Sequence, residues 1–119
     1  MENKNDVERA KYGRFITEKE TSMDELKQDQ KKIEMSLLDL QEELHRGYRT
    51  LAMLNEEVVH EGNIEGIRIQ RRNEEQEVFF ARQLREAEEN LTNCYSEQRK
   101  ILDKETEELY KKRGEIPWD

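Results

Sequence analysis

Ile33, Leu37, Leu40, Leu44, Gly47, Leu51, Leu54 and Val58 follow one another at steps of 4, 3, 4, 3, 4, 3 and 4. Phe80, Leu84, Ala87, Leu91, Cys94, Gln98, Ile101 and Glu105 repeat that stepping in the second half of the chain. Leu109 continues it with a drift of one position. This spacing is a heptad seam, the signature of long amphipathic helices that bury a narrow apolar edge. Backwards from Ile33 the first series reads Gln30, Leu26, Met23, Lys19, Ile16 and Tyr12, which is less apolar. The only proline is Pro117, so almost the whole chain is free to be helix.

Composition sets the same limit from another side. Of the 119 residues, 33% are hydrophobic and 42% are charged. Such a chain cannot fill a thick globular core; it is either disordered or a thin helical object. The maintained phase of the two seams argues for helices, roughly 5–60 and 66–113, with a tail over 114–119.

Between the helices lies Gly62-Asn63-Ile64-Glu65-Gly66. Glycine and asparagine accept the positive φ of a helix stop, so the chain is expected to reverse within about 61–66. A reversal centred on Gly62 pairs residues whose numbers add to 124. Leu44 then meets Phe80, Leu40 meets Leu84, Leu37 meets Ala87, Ile33 meets Leu91 and Met23 meets Ile101. Gln30 falls opposite Cys94, which makes that cysteine a small buried hydrophobe in this reading. Lys19 falls opposite Glu105, an ion pair that would set register more than stability. Gly47 falls near the level of Phe80, a small residue beside a large one. The expected fold is all-α: one antiparallel hairpin domain of two long, coiled-coil-like helices, completing a bundle with a partner.

The partner is expected because apolar residues extend past the seam. Leu38, Tyr48, Ala52 and Val59 widen the stripe of the first helix, and Ala81, Tyr95, Leu102 and Leu109 that of the second. A coiled-coil seam needs two apolar positions in seven, whereas a helix inside a bundle needs about three. These eight residues form the candidate protein-binding edge, with Trp118 on the tail as a ninth contact. The polar seam positions Gln70, Asn73 and Glu77 predict a loop end looser than the middle, or one completed by another chain.

Other chemistries lack support. The net charge is −8, with −4 in each half. An acidic surface with interspersed lysine and arginine does not suit nucleic acid, because phosphate binding needs a basic face. No apolar run approaches the roughly 18 residues that span a bilayer, so no membrane insertion is expected. No signal-peptide core is evident either, so the expected location is cytoplasmic, with export alongside a client as an extension. Glu42/His45 and Glu57/His60 have a metal-ligand spacing, but they sit on one helix roughly 22 Å apart and cannot share an ion. No metal, cofactor or catalytic group is expected, because a thin hairpin offers no pocket in which to exclude water.

The leaderless acidic hairpin with a glycine turn near its midpoint resembles the WXG100 class of type VII secretion proteins. It departs from that class at the turn, which carries no Trp-x-Gly. It also departs after Tyr110, where Gly114 stands in place of the acidic residue of the export signal. The second half, best over RKILDKETEELYKKR at 99–113, is similar to the small helical targeting factors encoded beside LXG toxins of type VIIb systems. That resemblance implies an accessory chain that binds the helical LXG region of a toxin, with a WXG100-like companion. Alternatives are a structural coiled-coil homodimer and an export chaperone of the flagellar or type III kind.

Overall fold

The computed structural model describes residues 3–118. Two helices make up the fold: α1, Lys4–His60, and α2, Ile64–Gly114. They form an all-α antiparallel hairpin. α1 starts at Asn3, whose side-chain oxygen accepts the Asn5 N–H at 3.1 Å and so caps the first turn. α2 ends with Lys111, Lys112 and Arg113 in its last turn, where cations complement the helix dipole.

The reversal takes three residues. Gly62 adopts φ +75°, the left-handed conformation that a residue with a Cβ disfavours. Its N–H donates to the Val59 carbonyl at 3.0 Å, and the Asn63 N–H donates to the Val58 carbonyl at 3.3 Å. That pair of bonds is a Schellman stop. Asn63 then caps α2: its side-chain oxygen accepts the N–H groups of Glu65 at 2.9 Å and Gly66 at 3.2 Å. One asparagine closes one helix and opens the next, so α2 begins two residues before the expected start at 66. Gly66 is buried, and a methyl group added to it would lie 3.2 Å from the Val58 Cβ. The helices leave the turn too close together for any side chain there.

The described residues group into two compact units, 3–31 with 91–118 and 32–90. In the first, the less exposed positions of α1 include Tyr12, Ile16, Lys19, Met23, Leu26 and Gln30, which follow heptad steps. Ile16 (3% exposed) and Ile116 (8%) both belong to this unit and are the only buried apolar side chains among the described residues. Lys19 Nζ pairs with Glu105 Oε2, the register anticipated from the sequence. Tyr110 donates to Glu20 Oε1 at 2.8 Å. The tail folds against α1: Arg9 donates to the Pro117 carbonyl at 2.7 Å, and its guanidinium carbon lies 3.7 Å from the Trp118 ring centroid.

In the second unit Tyr48 meets Gln76 at 3.3 Å, and Gly66 lies against Val58. The residue numbers again add to 124 in each pair. The interior stripe of this unit is displaced from the expected one. It runs Leu37, Gln41, Leu44, Tyr48, Ala52, Asn55 and Val59 on α1, and Gly66, Gln70, Asn73, Glu77, Ala81 and Leu84 on α2. Leu40, Gly47, Leu51, Leu54, Val58 and Phe80, expected inside, are exposed. The reason is the mismatch between 3.5 and 3.6 residues per turn. A strict heptad drifts by about 20° per repeat on a straight helix. Leu37, Tyr48 and Val59 instead repeat every 11 residues, a period of about 3.67 per turn.

Candidate partner-binding surface

The same one-position rotation rearranges the residues proposed to bind a partner. Tyr48, Ala52, Val59 and Ala81 are half-buried on the interior stripe of the unit 32–90. Tyr95, Leu102 and Leu109 are half-buried on the corresponding stripe of the other unit. These seven do not line an outer edge. Only Leu38 and Trp118 of the nine are exposed, at 55% and 83%. In the other unit Cys94, expected to be buried, is exposed, and so is Ile101. Gly47 faces open space, with nothing within 4 Å of where its Cβ would sit, so it makes no room for Phe80.

What the structure exposes instead is concentrated in one unit. Of the eighteen large apolar residues that are exposed among those described, thirteen lie within 32–90. Leu54 (72%) and Met53 (69%) are the barest after Trp118. The interior of this unit is partly polar: Gln70, Asn73 and Glu77 occupy it, and the Gln70 side-chain oxygen is buried without a hydrogen-bond partner. Polar inside and apolar outside is the reverse of the arrangement that stabilises a free-standing helix pair. The sequence reading anticipated a poorly filled loop end, but it placed the polar seam opposite the wrong side of α1.

Six of the thirteen, Leu40, Leu51, Leu54, Val58, Ile69 and Phe80, fall on one face. A residue one position before an interior residue is rotated by about 100° around its helix. Because α1 and α2 run in opposite directions, these preceding positions lie on the same side of the pair. On α1 these positions are Ser36, Leu40, Glu43, Gly47, Leu51, Leu54 and Val58. On α2 they are Glu65, Ile69, Arg72, Gln76, Phe80, Gln83 and Glu86. Charges of both signs border them: Asp39, Arg46 and Glu57 on α1, and Arg68, Glu75 and Arg82 on α2, all exposed.

His45 Nδ1 lies 3.4 Å from Glu77 Oε1, and His60 is exposed at the end of α1. Among the described residues no cluster of three or more histidine, cysteine or carboxylate side chains could hold a metal. No helix among them is long and apolar enough to cross a membrane. Compared with protein-family models, curated proteins and solved structures, the chain has no match. Its class rests on its own geometry: an antiparallel helical hairpin with thirteen exposed large apolar residues in one unit.

Proposed function

We propose that this chain is a non-catalytic adaptor that binds helical protein partners. Its specific role is that of a targeting factor for the helical LXG region of a type VIIb secretion toxin, acting with a WXG100-like companion to promote export. One observation carries the adaptor reading: the unit 32–90 presents thirteen exposed large apolar residues around a partly polar interior. Exposed large apolar residues concentrated in this way point to an interaction site. The similarity of residues 99–113 to targeting factors supports the specific client.

Co-expression with the LXG region and the small companion encoded beside it, followed by size-exclusion chromatography with light scattering, tests the proposal. A stable hetero-complex is expected, together with loss of toxin from the culture medium when this gene alone is deleted. A homodimer that ignores the client, with toxin export unchanged in the deletion, overturns it.

A further inference from the structure

We propose that the last residues of the chain form a clasp that fastens the beginning of α1 to the end of α2, with Arg9 as its catch. The clasp opens and closes as a unit while the helices stay packed. It stands independently of the adaptor reading. The first and last turns of a helix pair fray unless something ties them down, and in this chain the tail does so.

Arg9 lies in the second turn of α1, and its side chain is only 14% exposed. Arginine is rarely this covered without partners. Its Nη1 donates to Asp6 Oδ1 at 2.8 Å, which sets the guanidinium in place from its own helix. Its Nη2 donates to the Pro117 carbonyl at 2.7 Å, and its guanidinium carbon lies 3.7 Å from the Trp118 ring centroid. A planar guanidinium serves all three at once, because its donors fan out at the edge and leave a face free for the ring. The Nε is buried with no hydrogen-bond partner. An unmade bond of that kind costs free energy, and the contacts with the tail offset it.

The tail reaches Arg9 through a tight turn at the end of α2. The Glu115 N–H donates to the Lys111 carbonyl at 3.1 Å, and the Ile116 N–H to the Arg113 carbonyl at 3.3 Å. Ile116, at 8% exposure, anchors the base of the tail. Trp118, at 83%, is not held by burial; Arg9 holds it. A cavity of about 510 Å³ lies among Arg9, Ala10, Tyr110, Arg113, Gly114 and Trp118. The tail bridges that space instead of lying flush on the helices, so its tip can lift without dismantling the packing between them. Local opening of this kind requires less free energy than global unfolding.

Trp118 is the only tryptophan and reports the clasp directly. Its fluorescence anisotropy in the full chain is expected to lie well above that of the free peptide EIPWD, and Arg9→Ala should bring it down toward the peptide. Trp118→Ala removes the tip and leaves α1 untouched. In that variant the amides of residues 7–12 should exchange about five- to thirtyfold faster, with those of residues 19–26 unchanged. A wild-type anisotropy equal to that of the peptide, or one that Arg9→Ala does not lower, overturns the proposal. So does unchanged exchange at residues 7–12 in Trp118→Ala, because the tail then rests on α1 without fastening it. Faster exchange spread evenly over residues 7–26 overturns it as well, since the tail would then belong to the packing of the whole unit and could not open alone.

Discussion

Gly66 on α2 rests directly on the side chain of Val58 on α1, with no room for a methyl group between them. Its absent side chain is what allows the two helices to run alongside each other from the first turn of α2. Gly66→Ala forces the Val58 Cβ and backbone apart, and overpacking of this kind costs about 1–3 kcal/mol. The expected result is a lower denaturation midpoint in urea with the slope unchanged. A midpoint equal to wild type would mean that the helices separate freely there.

Gly47 predicts the opposite sign. It is exposed in the middle of α1, φ is not positive, and nothing lies within 4 Å of its Cβ position. Gly47→Ala should therefore stabilise the free chain by roughly 0.5–1 kcal/mol through helix propensity alone. Thermal unfolding of the free chain checks this.

Lys19 and Glu105 were paired from the seam alone, and the structure joins them. Both side chains are more than a third exposed, so the pair contributes little energy in solvent. A double-mutant cycle with alanine should return a coupling of at most about 1 kcal/mol, fading with salt. A coupling of several kcal/mol would mean that the pair is far drier than its exposure indicates.

The register and the reversal were legible because each depends on one kind of local signal. Gly62 and Asn63 carry the turn chemistry, and a turn centred there fixes which residues face each other, as at Lys19–Glu105 and Tyr48–Gln76. The rotation of the helices was not legible to the same precision. Leu40 and Gln41 differ by one position, and the heptad rhythm favours the leucine. The structure puts Gln41 inside. Apolar residues occupy both the 3.5-residue and the 3.67-residue stripe of α1, so the pattern alone does not choose between them. Leu44 belongs to both stripes and was placed correctly. Tyr48, Ala52, Val59 and Ala81 belong only to the second stripe, so they were assigned to the outside. In the other unit Cys94 gave way to Tyr95 through the same one-position shift. The tail was undecidable because the contact of Arg9 with Pro117 and Trp118 spans more than a hundred residues and has no periodic signature.

The last prediction concerns alkaline pH. Tyr110 donates to Glu20 Oε1 at 2.8 Å, and that hydrogen bond holds its phenol above the ordinary value of 10.0. Desolvation and the nearby Glu20 charge push the same way, while the Arg113 guanidinium, 4.9 Å from the ring centroid, pulls the other way. The folded chain therefore keeps this proton to a higher pH than the unfolded chain does. The stabilisation is fully present below pH 10 and is lost as pH rises through the folded pKa, because there the unfolded state binds fewer protons. Ionised Tyr110 would face Glu20 as a like charge, loosening the hairpin near the C-terminal end of α2. Tyrosinate absorbance should resolve one late-titrating tyrosine among the four, and Tyr110→Phe should remove that component. Glu20→Gln should bring it back toward the ordinary range. If all four tyrosines titrate together and Glu20→Gln changes nothing, the hydrogen bond does not hold in solution, and stability above pH 10 would fall equally in wild type and Tyr110→Phe.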